Sequence, residues 1–147
     1  MFNGFIGRYL HNIDEKGRLT FPVSYRELLG EQPFLLNGFD QNLLVMDANR
    51  FQLLYDRINA MNMGDVHTRQ LRRLIFSNAT QIEFDKTGRF IIPQPLREIA
   101  RLDTAAIIVG IGKDIEIWNP DLYKEMEEAG EGPTSAATLV SNFDLTI

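Results

Sequence analysis

A nine-residue motif occurs twice in this chain. Residues 14–22 read Asp-Glu-Lys-Gly-Arg-Leu-Thr-Phe-Pro, and residues 85–93, 71 positions later, read Asp-Lys-Thr-Gly-Arg-Phe-Ile-Ile-Pro. The correspondence continues at the same offset, because Arg-Glu-Leu-Leu at 26–29 matches Arg-Glu-Ile-Ala at 97–100. Similarity at a fixed offset over such a length indicates the duplication of one unit. The chain is therefore predicted to fold as two related halves.

Each half is near the size at which a hydrophobic core of its own stops being sufficient. The chain has 147 residues, and a core built from half of that length is close to the smallest that folds alone. Hydrophobic residues make up 44% and charged residues 24% of the chain, an ordinary balance for a folded domain. We therefore expect one hydrophobic core to which both halves contribute.

Hydrophobic patterning gives each half the predicted order β-β-α-β-β. Alternating polar and apolar residues at 81–84 are typical of a half-buried strand, and residues 9–13 occupy the equivalent place in the first half. Pro22 and Pro93 suit the first position of a short helix, because proline lacks the N–H that a helix start leaves unpaired. The predicted strands are residues 9–13, 19–21, 34–37 and 43–46 in the first half, and 81–84, 90–92, 106–109 and 115–118 in the second.

Further helices are predicted outside the repeated units. Asp47 and Asn119 are good helix N-caps, and they precede amphipathic segments at about 48–60 and 120–129. Another helix is predicted at about 66–78. The resulting division is a first repeat at 7–50, connecting helices at 51–78, a second repeat at 79–122, and a C-terminal helix with a loosely ordered tail at 123–147.

The repeated motif has the composition of a tight turn. The carboxylates of Asp14 and Asp85 can accept a backbone N–H two residues further along the chain. Gly17 and Gly88 tolerate the positive φ that closes a short hairpin loop. The motif is therefore predicted to join an incoming strand to a return strand in each half.

The charge distribution leaves a nucleic-acid partner open. The net charge is -5, but it is uneven: residues 1–30 carry +1, 31–64 carry -2, 65–101 carry +3 and 102–147 carry -7. Both copies of the motif lie in the positive segments. Since salt limits the reach of surface charge to about 8 to 10 Å, a local basic patch can act on a chain whose acidity lies elsewhere.

Two arginines and two lysines are the candidate DNA-binding residues. Arg18 and Arg89 follow the predicted turns, and Lys16 and Lys86 lie within them. A β-ribbon can enter the major groove, where arginine can bind O6 and N7 of guanine together and lysine can hold phosphates. The alternative from the same spacing is a turn closed only by a surface Asp–Arg pair, worth about 0 to 1 kcal/mol.

The chain resembles the MraZ family of bacterial regulators, which are related to the AbrB and MazE swapped-hairpin proteins. The resemblance rests on Met1-Phe2-x-Gly4, on the doubled Asp-x-x-Gly-Arg with a proline four residues after the arginine, on Arg-Leu-Ile-Phe-Ser-Asn-Ala at 73–79, and on Ile-Glu-Ile-Trp at 115–118. It extends from residue 1 to about residue 126. The family's Asp-x-x-x-Arg motif falls on Asp14 with Arg18 and on Asp85 with Arg89.

The resemblance implies an α+β, β-rich fold in which tandem β-β-α-β-β repeats form a double swapped-hairpin, AbrB-like barrel with flanking helices. It further implies a homo-oligomer, expected to be a ring, that binds repeated sites of double-stranded DNA in its own promoter. The expected function is sequence-specific regulation, in the direction of repression, of the division and cell-wall gene cluster. The expected location is the cytoplasm, in association with the nucleoid.

The remaining sequence features do not favour catalysis or metal binding. His11 and His67 stand alone, without clustered acidic ligands, and cysteine is absent. Residues 107–114 lack the first glycine and the Ser or Thr of a phosphate-binding loop. No nucleophile motif is recognisable. We therefore expect no enzymatic activity, no cofactor, no metal, no small-molecule substrate and no membrane-spanning segment.

Two alternative functions remain open at this point. An antitoxin-like module of the AbrB fold would bind a protein partner through its acidic C-terminal region, and an enzyme or small-ligand barrel would need a polar pocket. Arg26 and Arg97 could brace the turns or contact the DNA backbone, and the bracing role is favoured. Arg69, Arg72 and Arg73 lie on the polar side of a predicted helix, which is usually solvated.

Overall fold

The structure, a computed structural model, describes residues 2–129 and 136–143. It has the predicted α+β, β-rich fold. The first half contains β1 (Arg8–Asn12), β2 (Arg18–Thr20), α1 (Val23–Leu29), β3 (Phe34–Asn37) and β4 (Leu43–Met46). The connecting helices are α2 (Ala48–Asn59) and α3 (Val66–Phe76). The second half and the C-terminal helices are β5 (Thr80–Gln81), β6 (Arg89–Ile91), α4 (Gln94–Ile99), β7 (Ala105–Gly110), β8 (Ile115–Trp118), α5 (Pro120–Glu128) and α6 (Ala136–Asn142).

The two halves exchange strands. The first strand of each half pairs with the third strand of the other half, so that β1 pairs with β7 and β5 pairs with β3. These pairs join β4 and β8 in one six-stranded sheet of order β1-β7-β8-β4-β3-β5. Its pairings are antiparallel. This exchange is the swapped arrangement that the family resemblance implies.

β2 and β6 form a separate two-stranded ribbon, with Leu19 opposite Phe90 at its centre. The sequence predicted that β2 would return along the incoming strand of its own half, but an isolated bridge between Ile13 and Leu19 is what joins those two segments. Pairing the equivalent strands of both halves lets both central side chains enter one core. Among the described residues, the resulting ladders form two sheets and do not close into a barrel.

β5 is the strand that differs most from its prediction. It contains two residues, Thr80–Gln81, where the alternation predicted 81–84. The backbone N–H of Ile82 still donates to the carbonyl oxygen of Pro33 at 2.8 Å, and the Ile82 side chain is buried. The chain then leaves the sheet because Phe84 packs against the main core. The alternation of polar and apolar residues therefore predicts correctly which side chains are buried, but it predicts a longer strand than the one that pairs in the sheet.

The helices begin close to their predicted starts. α2 follows Asp47, whose carboxylate accepts a backbone N–H three residues further on at 2.7 Å. α5 follows Asn119, whose side-chain oxygen accepts one two residues further on at 2.8 Å. Pro22 and Pro93 occupy the cap position just before α1 and α4 and not the first helical position. α1 ends at Leu29 and is followed by its C-cap Gly30, where φ is 67°.

One main core joins the ribbon to the six-stranded sheet, and both halves contribute to it as predicted. Leu19 and Phe21 from the first half, and Phe90 and Ile92 from the second, are at most 2% exposed. A second cluster packs α2 and α3 onto the sheet; its buried members are Leu36, Leu44, Met46, Ile58 and Ile75. A third cluster holds α5; its buried members are Val109, Trp118 and Tyr123.

The C-terminal region is described in part. Residues 130–135 and 144–147 lie outside the described residues, and the predicted loosely ordered tail falls largely on them. The division of the chain at 7–50, 51–78, 79–122 and 123–147 stays a prediction. Within the described residues, every helix is too short or too polar to cross a membrane.

Candidate nucleic-acid interface

The two motif turns have the same hydrogen-bond pattern. In the first turn, Oδ1 of Asp14 accepts the backbone N–H groups of Lys16 and Arg18 at 3.0 and 2.9 Å. In the second turn, Oδ1 of Asp85 makes the two equivalent bonds, again at 3.0 and 2.9 Å. The aspartate of each motif therefore organises its turn, as the sequence predicted.

A glycine completes each turn. Gly17 and Gly88 donate their backbone N–H groups at 3.0 Å to the carbonyl oxygens of Asp14 and Asp85. Both glycines have a φ of 79°, a conformation that residues with a β-carbon rarely adopt. The predicted need for glycine at these two positions is confirmed.

The turn hydrogen bonds favour the charged form of both carboxylates. The pKa of Asp85 is lowered from 3.8 to about 2, chiefly by the backbone N–H of Arg89 and further by hydrogen bonds from Thr87. The pKa of Asp14 is also lowered, chiefly by the backbone N–H of Arg18. Each turn thus holds a negative charge next to its arginine at neutral pH.

Each motif arginine pairs with the aspartate of its own turn through Nε. Nε of Arg18 lies 2.6 Å from Oδ2 of Asp14, and Nε of Arg89 lies 3.0 Å from Oδ2 of Asp85. Nη1 of Arg89 also lies 3.8 Å from Oδ2 of Asp14. The two side chains are 29% and 32% exposed. Apart from the longer ion pair between Arg89 and Asp14, their Nη atoms form no hydrogen bond with the described residues.

The ribbon brings both arginines onto one surface. Its pairing continues beyond the strands, because Phe21 donates its backbone N–H to the carbonyl oxygen of Gly88 at 3.0 Å and Ile92 donates to that of Gly17 at 2.9 Å. The two turns therefore lie at opposite ends of one ribbon. The sequence predicted one hairpin tip in each half. Because β2 pairs with β6, both turns instead belong to one ribbon.

The outer side of this ribbon is named the arginine face. Side chains alternate along a strand, so the inward direction of Leu19 and Phe90 leaves the residues on either side of them facing outward. Across the ribbon, one residue of each outward pair is an arginine. The members of the arginine face are Arg18 opposite Ile91 and Thr20 opposite Arg89.

The predicted lysines lie beside the arginine face. Lys16 and Lys86 are exposed positions in the two turns, at opposite ends of the ribbon. The first turn also carries the exposed Glu15, where the second has Lys86. The two ends of the ribbon therefore differ in local charge.

Arg26 and Arg97 brace the turns of the opposite halves. A β-carbon placed on Gly17 would lie 2.7 Å from Nη1 of Arg97, and one placed on Gly88 would lie 2.6 Å from Cζ of Arg26. Nε of Arg26 also donates to the carbonyl oxygen of Phe21 at 3.2 Å. The sequence favoured a bracing role for both arginines. Their equivalent positions in the two repeats do not reveal that each arginine contacts the turn of the other half.

Two of the three arginines of α3 bind the end of α2 and the loop between the two helices. Arg69 donates to the carbonyl oxygen of Met63 at 2.9 Å, and Arg72 donates to that of Asn59 at 2.9 Å. Both side chains are half-exposed, so the polar side of α3 is solvated as expected and also holds the connection between α2 and α3. Arg73 is exposed.

Two surface clefts bear on the small-ligand alternative. Their volumes are about 350 and 230 Å³. Both include Arg50, which pairs with Asp114 at 2.7 Å, and neither is lined by a residue of the repeated motif. In the part of the chain that the structure describes, no group of three or more His, Asp or Glu residues could hold a metal ion.

Comparison with known proteins identifies the repeated unit. A family model described as "MraZ protein, putative antitoxin-like" matches the chain twice, at residues 5–74 and 75–139. Transcriptional regulator MraZ of Thermomicrobium roseum is 37% identical over 139 residues, which cover 93% of this chain and 98% of that protein. Proteins of the same name from Desulfitobacterium hafniense (strain Y51) and Herpetosiphon aurantiacus are 38% and 39% identical, and each comparison covers 90% of this chain.

The two family matches agree with the duplication seen in the sequence and with the two halves seen in the fold. The first match ends in α3, ahead of the strand that begins the second half. The relatives extend the likeness over nearly the whole length of both chains. This protein therefore belongs to the MraZ family of transcriptional regulators.

Proposed function

We propose that this protein regulates transcription by binding double-stranded DNA in a sequence-specific manner through the arginine face. The observation that carries the proposal is the placement of Arg18 and Arg89 on one surface of a ribbon, with Nη atoms that the described residues leave without hydrogen bonds. A two-stranded ribbon fits the major groove, which is about 12 Å wide. The name of the relatives, transcriptional regulator, supports the same role.

Arg18 and Arg89 are proposed to bind guanine. Asp14 and Asp85 hold the two guanidinium groups through Nε, which leaves the Nη donors for O6 and N7 of the base. Because the aspartates fix the side chains before DNA arrives, less conformational freedom is lost on binding. The aspartates therefore orient the arginines and do not themselves contact bases.

Lys16 and Lys86 are proposed to contact phosphates on either side of the groove. Both lie at the ends of the ribbon, where a backbone strand would pass if the arginine face entered the groove. Phosphate contacts set the position of a protein on DNA without carrying sequence information. The acidic charge after residue 102 does not oppose this binding at distances beyond about 8 to 10 Å, since salt screens it.

The proposal also covers the oligomeric state of the protein and the DNA sites that it binds. One arginine face offers few contacts, so we propose that several copies form a ring whose faces engage repeated sites at a high effective concentration. The proposed sites lie in the protein's own promoter, and binding there represses the division and cell-wall gene cluster. The protein acts at the nucleoid in the cytoplasm, uses no cofactor and catalyses no reaction.

A competition mobility-shift assay tests sequence-specific binding. The labelled probe is the DNA immediately upstream of the gene, and the competitors are the same DNA and a scrambled fragment of equal length and composition. The upstream DNA is expected to compete about a thousandfold better than the scrambled fragment, the lower range for specific DNA-binding proteins. Equal competition by both fragments would contradict the proposal.

An antitoxin-like function is the second candidate. Asp121, Glu125 and Glu128 are exposed on α5, and the description of the family includes the word antitoxin. Such an acidic surface could hold a basic protein partner. Purification of the tagged protein from its own cells separates the candidates, because one basic protein recovered at equal molar amount supports the second function.

A further inference from the structure

The arginine face is asymmetric although the motif is duplicated. The offset of 71 places Arg18 and Arg89 in equivalent positions, but the next outward position holds Thr20 in the first half and Ile91 in the second. Two identical halves would present the same group twice. The surface proposed to bind DNA therefore has one hydroxyl end and one apolar end.

Ile91 is an apolar side chain on the polar side of the ribbon. It is 60% exposed and lies directly opposite Arg18, whereas its neighbours Phe90 and Ile92 are 2% and 0% exposed. The strand therefore buries its inward apolar residues in the main core and keeps one outside. Removal of this apolar surface from water is favourable, so a partner with an apolar group at this place would gain affinity.

We propose that Ile91 contacts the 5-methyl group of thymine in the major groove, while the hydroxyl of Thr20 meets a base edge at the other end of the face. This inference rests on the proposed DNA binding by the arginine face. The thymine methyl is the apolar group that base pairs present in the major groove, and a threonine hydroxyl can bond to either a donor or an acceptor there. The two ends of the face thus read different bases.

The geometry of the ribbon also limits the spacing of the bases that are read. Side chains directly opposite each other on a ribbon are about 5 Å apart. Base pairs rise about 3.4 Å per step. Arg18 and Ile91 can therefore reach a guanine and a thymine no more than about two steps apart, and the bound site has unequal halves.

The experiment compares DNA that contains thymine with DNA that contains uracil, which lacks the 5-methyl group. The fragment immediately upstream of the gene is synthesised with dTTP or with dUTP, and the dissociation constants are measured for the wild-type protein and for Ile91→Thr. The wild-type protein is expected to bind the uracil fragment about fourfold more weakly for each contacted methyl group. Ile91→Thr makes the two halves alike and, because threonine keeps only one methyl group of the larger isoleucine side chain, it is expected to discriminate between the fragments less strongly than the wild-type protein.

Thr20→Ile is the matched control, because it places a second isoleucine at the equivalent outward position. Because the base that Thr20 meets is not the thymine that Ile91 contacts, Thr20→Ile is expected to bind both fragments more weakly than the wild-type protein while keeping the wild-type ratio between them. Circular dichroism and size-exclusion chromatography establish whether each variant keeps its fold and its oligomer size.

Three results overturn the inference while leaving the proposed function intact. The first is equal binding of both fragments by a wild-type protein that still binds the upstream DNA specifically. The second is discrimination in Ile91→Thr that is as strong as in the wild-type protein. The third is a changed oligomer size in Ile91→Thr, which would assign the exposed side chain to a contact between subunits. If the wild-type protein does not bind the thymine fragment specifically, the proposed function itself is overturned.

Discussion

The guanidinium group of Arg97 lies directly against Gly17, although the two residues belong to different halves of the duplicated chain. The equivalent contact joins Arg26 to Gly88. Each turn is thereby tied to the helix that follows the other turn, and the backbone hydrogen bonds at both ends of the ribbon strengthen the connection. The arginine face is therefore one unit that neither half could form alone.

We expect Gly17→Ala to destabilise the protein and Arg97→Ala to relieve part of that loss. Alanine at this position combines a φ of 79° with a β-carbon that overlaps the Arg97 side chain. The backbone strain alone costs about 1 to 2 kcal/mol. Urea unfolding of the two single variants and the double variant measures their free energies of unfolding. The decrease caused by Gly17→Ala should be smaller by at least about 0.5 kcal/mol in the Arg97→Ala background than in the wild-type background. The same cost in both backgrounds would show that the guanidinium group does not restrict Gly17.

The stability of the turns should decrease in acid through the titration of Asp85. Its pKa is lowered in the folded protein from 3.8 to about 2, so the folded state favours the carboxylate. The resulting stabilisation is fully present above about pH 4 and is lost as the pH falls towards 2. Thermal unfolding followed by circular dichroism across this window should show a steeper loss for the wild-type protein than for Asp85→Asn. Parallel curves for the two proteins would contradict the assignment.

Substitution of the turn lysines should weaken the binding of specific and unrelated DNA alike. If Lys16 and Lys86 hold phosphates, each replacement by alanine should reduce the slope of log K against log salt by about 1 per subunit. Fluorescence anisotropy at several salt concentrations measures this slope for the upstream DNA and for the scrambled fragment. A loss confined to the upstream DNA would instead assign the lysines to the reading of bases.

Local features of the chain could be predicted from the sequence because they depend on near neighbours. The carboxylate of Asp14 bonds to an N–H two residues away, and Gly17 adopts the positive φ that the motif indicates. The helix that follows Asp47 begins where its capping side chain places it. Each of these features is decided within a few residues of sequence.

The partner of each ribbon strand could not be predicted in the same way. A duplicated sequence offers β2 two similar neighbours, the incoming strand of its own half and the equivalent strand of the other half. The choice depends on Leu19 and Phe90 filling one common core, which is a property of the whole chain. The contact between Arg97 and Gly17 follows from that choice. The sequence could therefore indicate that Arg97 braces a turn, but not that the turn belongs to the other half.

DNA recognition is proposed to depend on the two arginines of the arginine face. A mobility-shift titration with the upstream DNA compares the double variant Arg18→Ala/Arg89→Ala with the double variant Arg57→Ala/Arg73→Ala. Arg57→Ala/Arg73→Ala removes the same charge from exposed positions on α2 and α3, so the comparison separates the effect of position from that of net charge.

Arg18→Ala/Arg89→Ala is expected to lose at least about thirtyfold in affinity for the upstream DNA, since each bidentate contact with guanine is worth about 1 to 3 kcal/mol. The charge-matched variant should bind nearly as well as the wild-type protein, and both variants should keep their circular dichroism and oligomer size. Wild-type affinity in Arg18→Ala/Arg89→Ala, or an equal loss in both double variants, would show that DNA recognition does not depend on these two arginines.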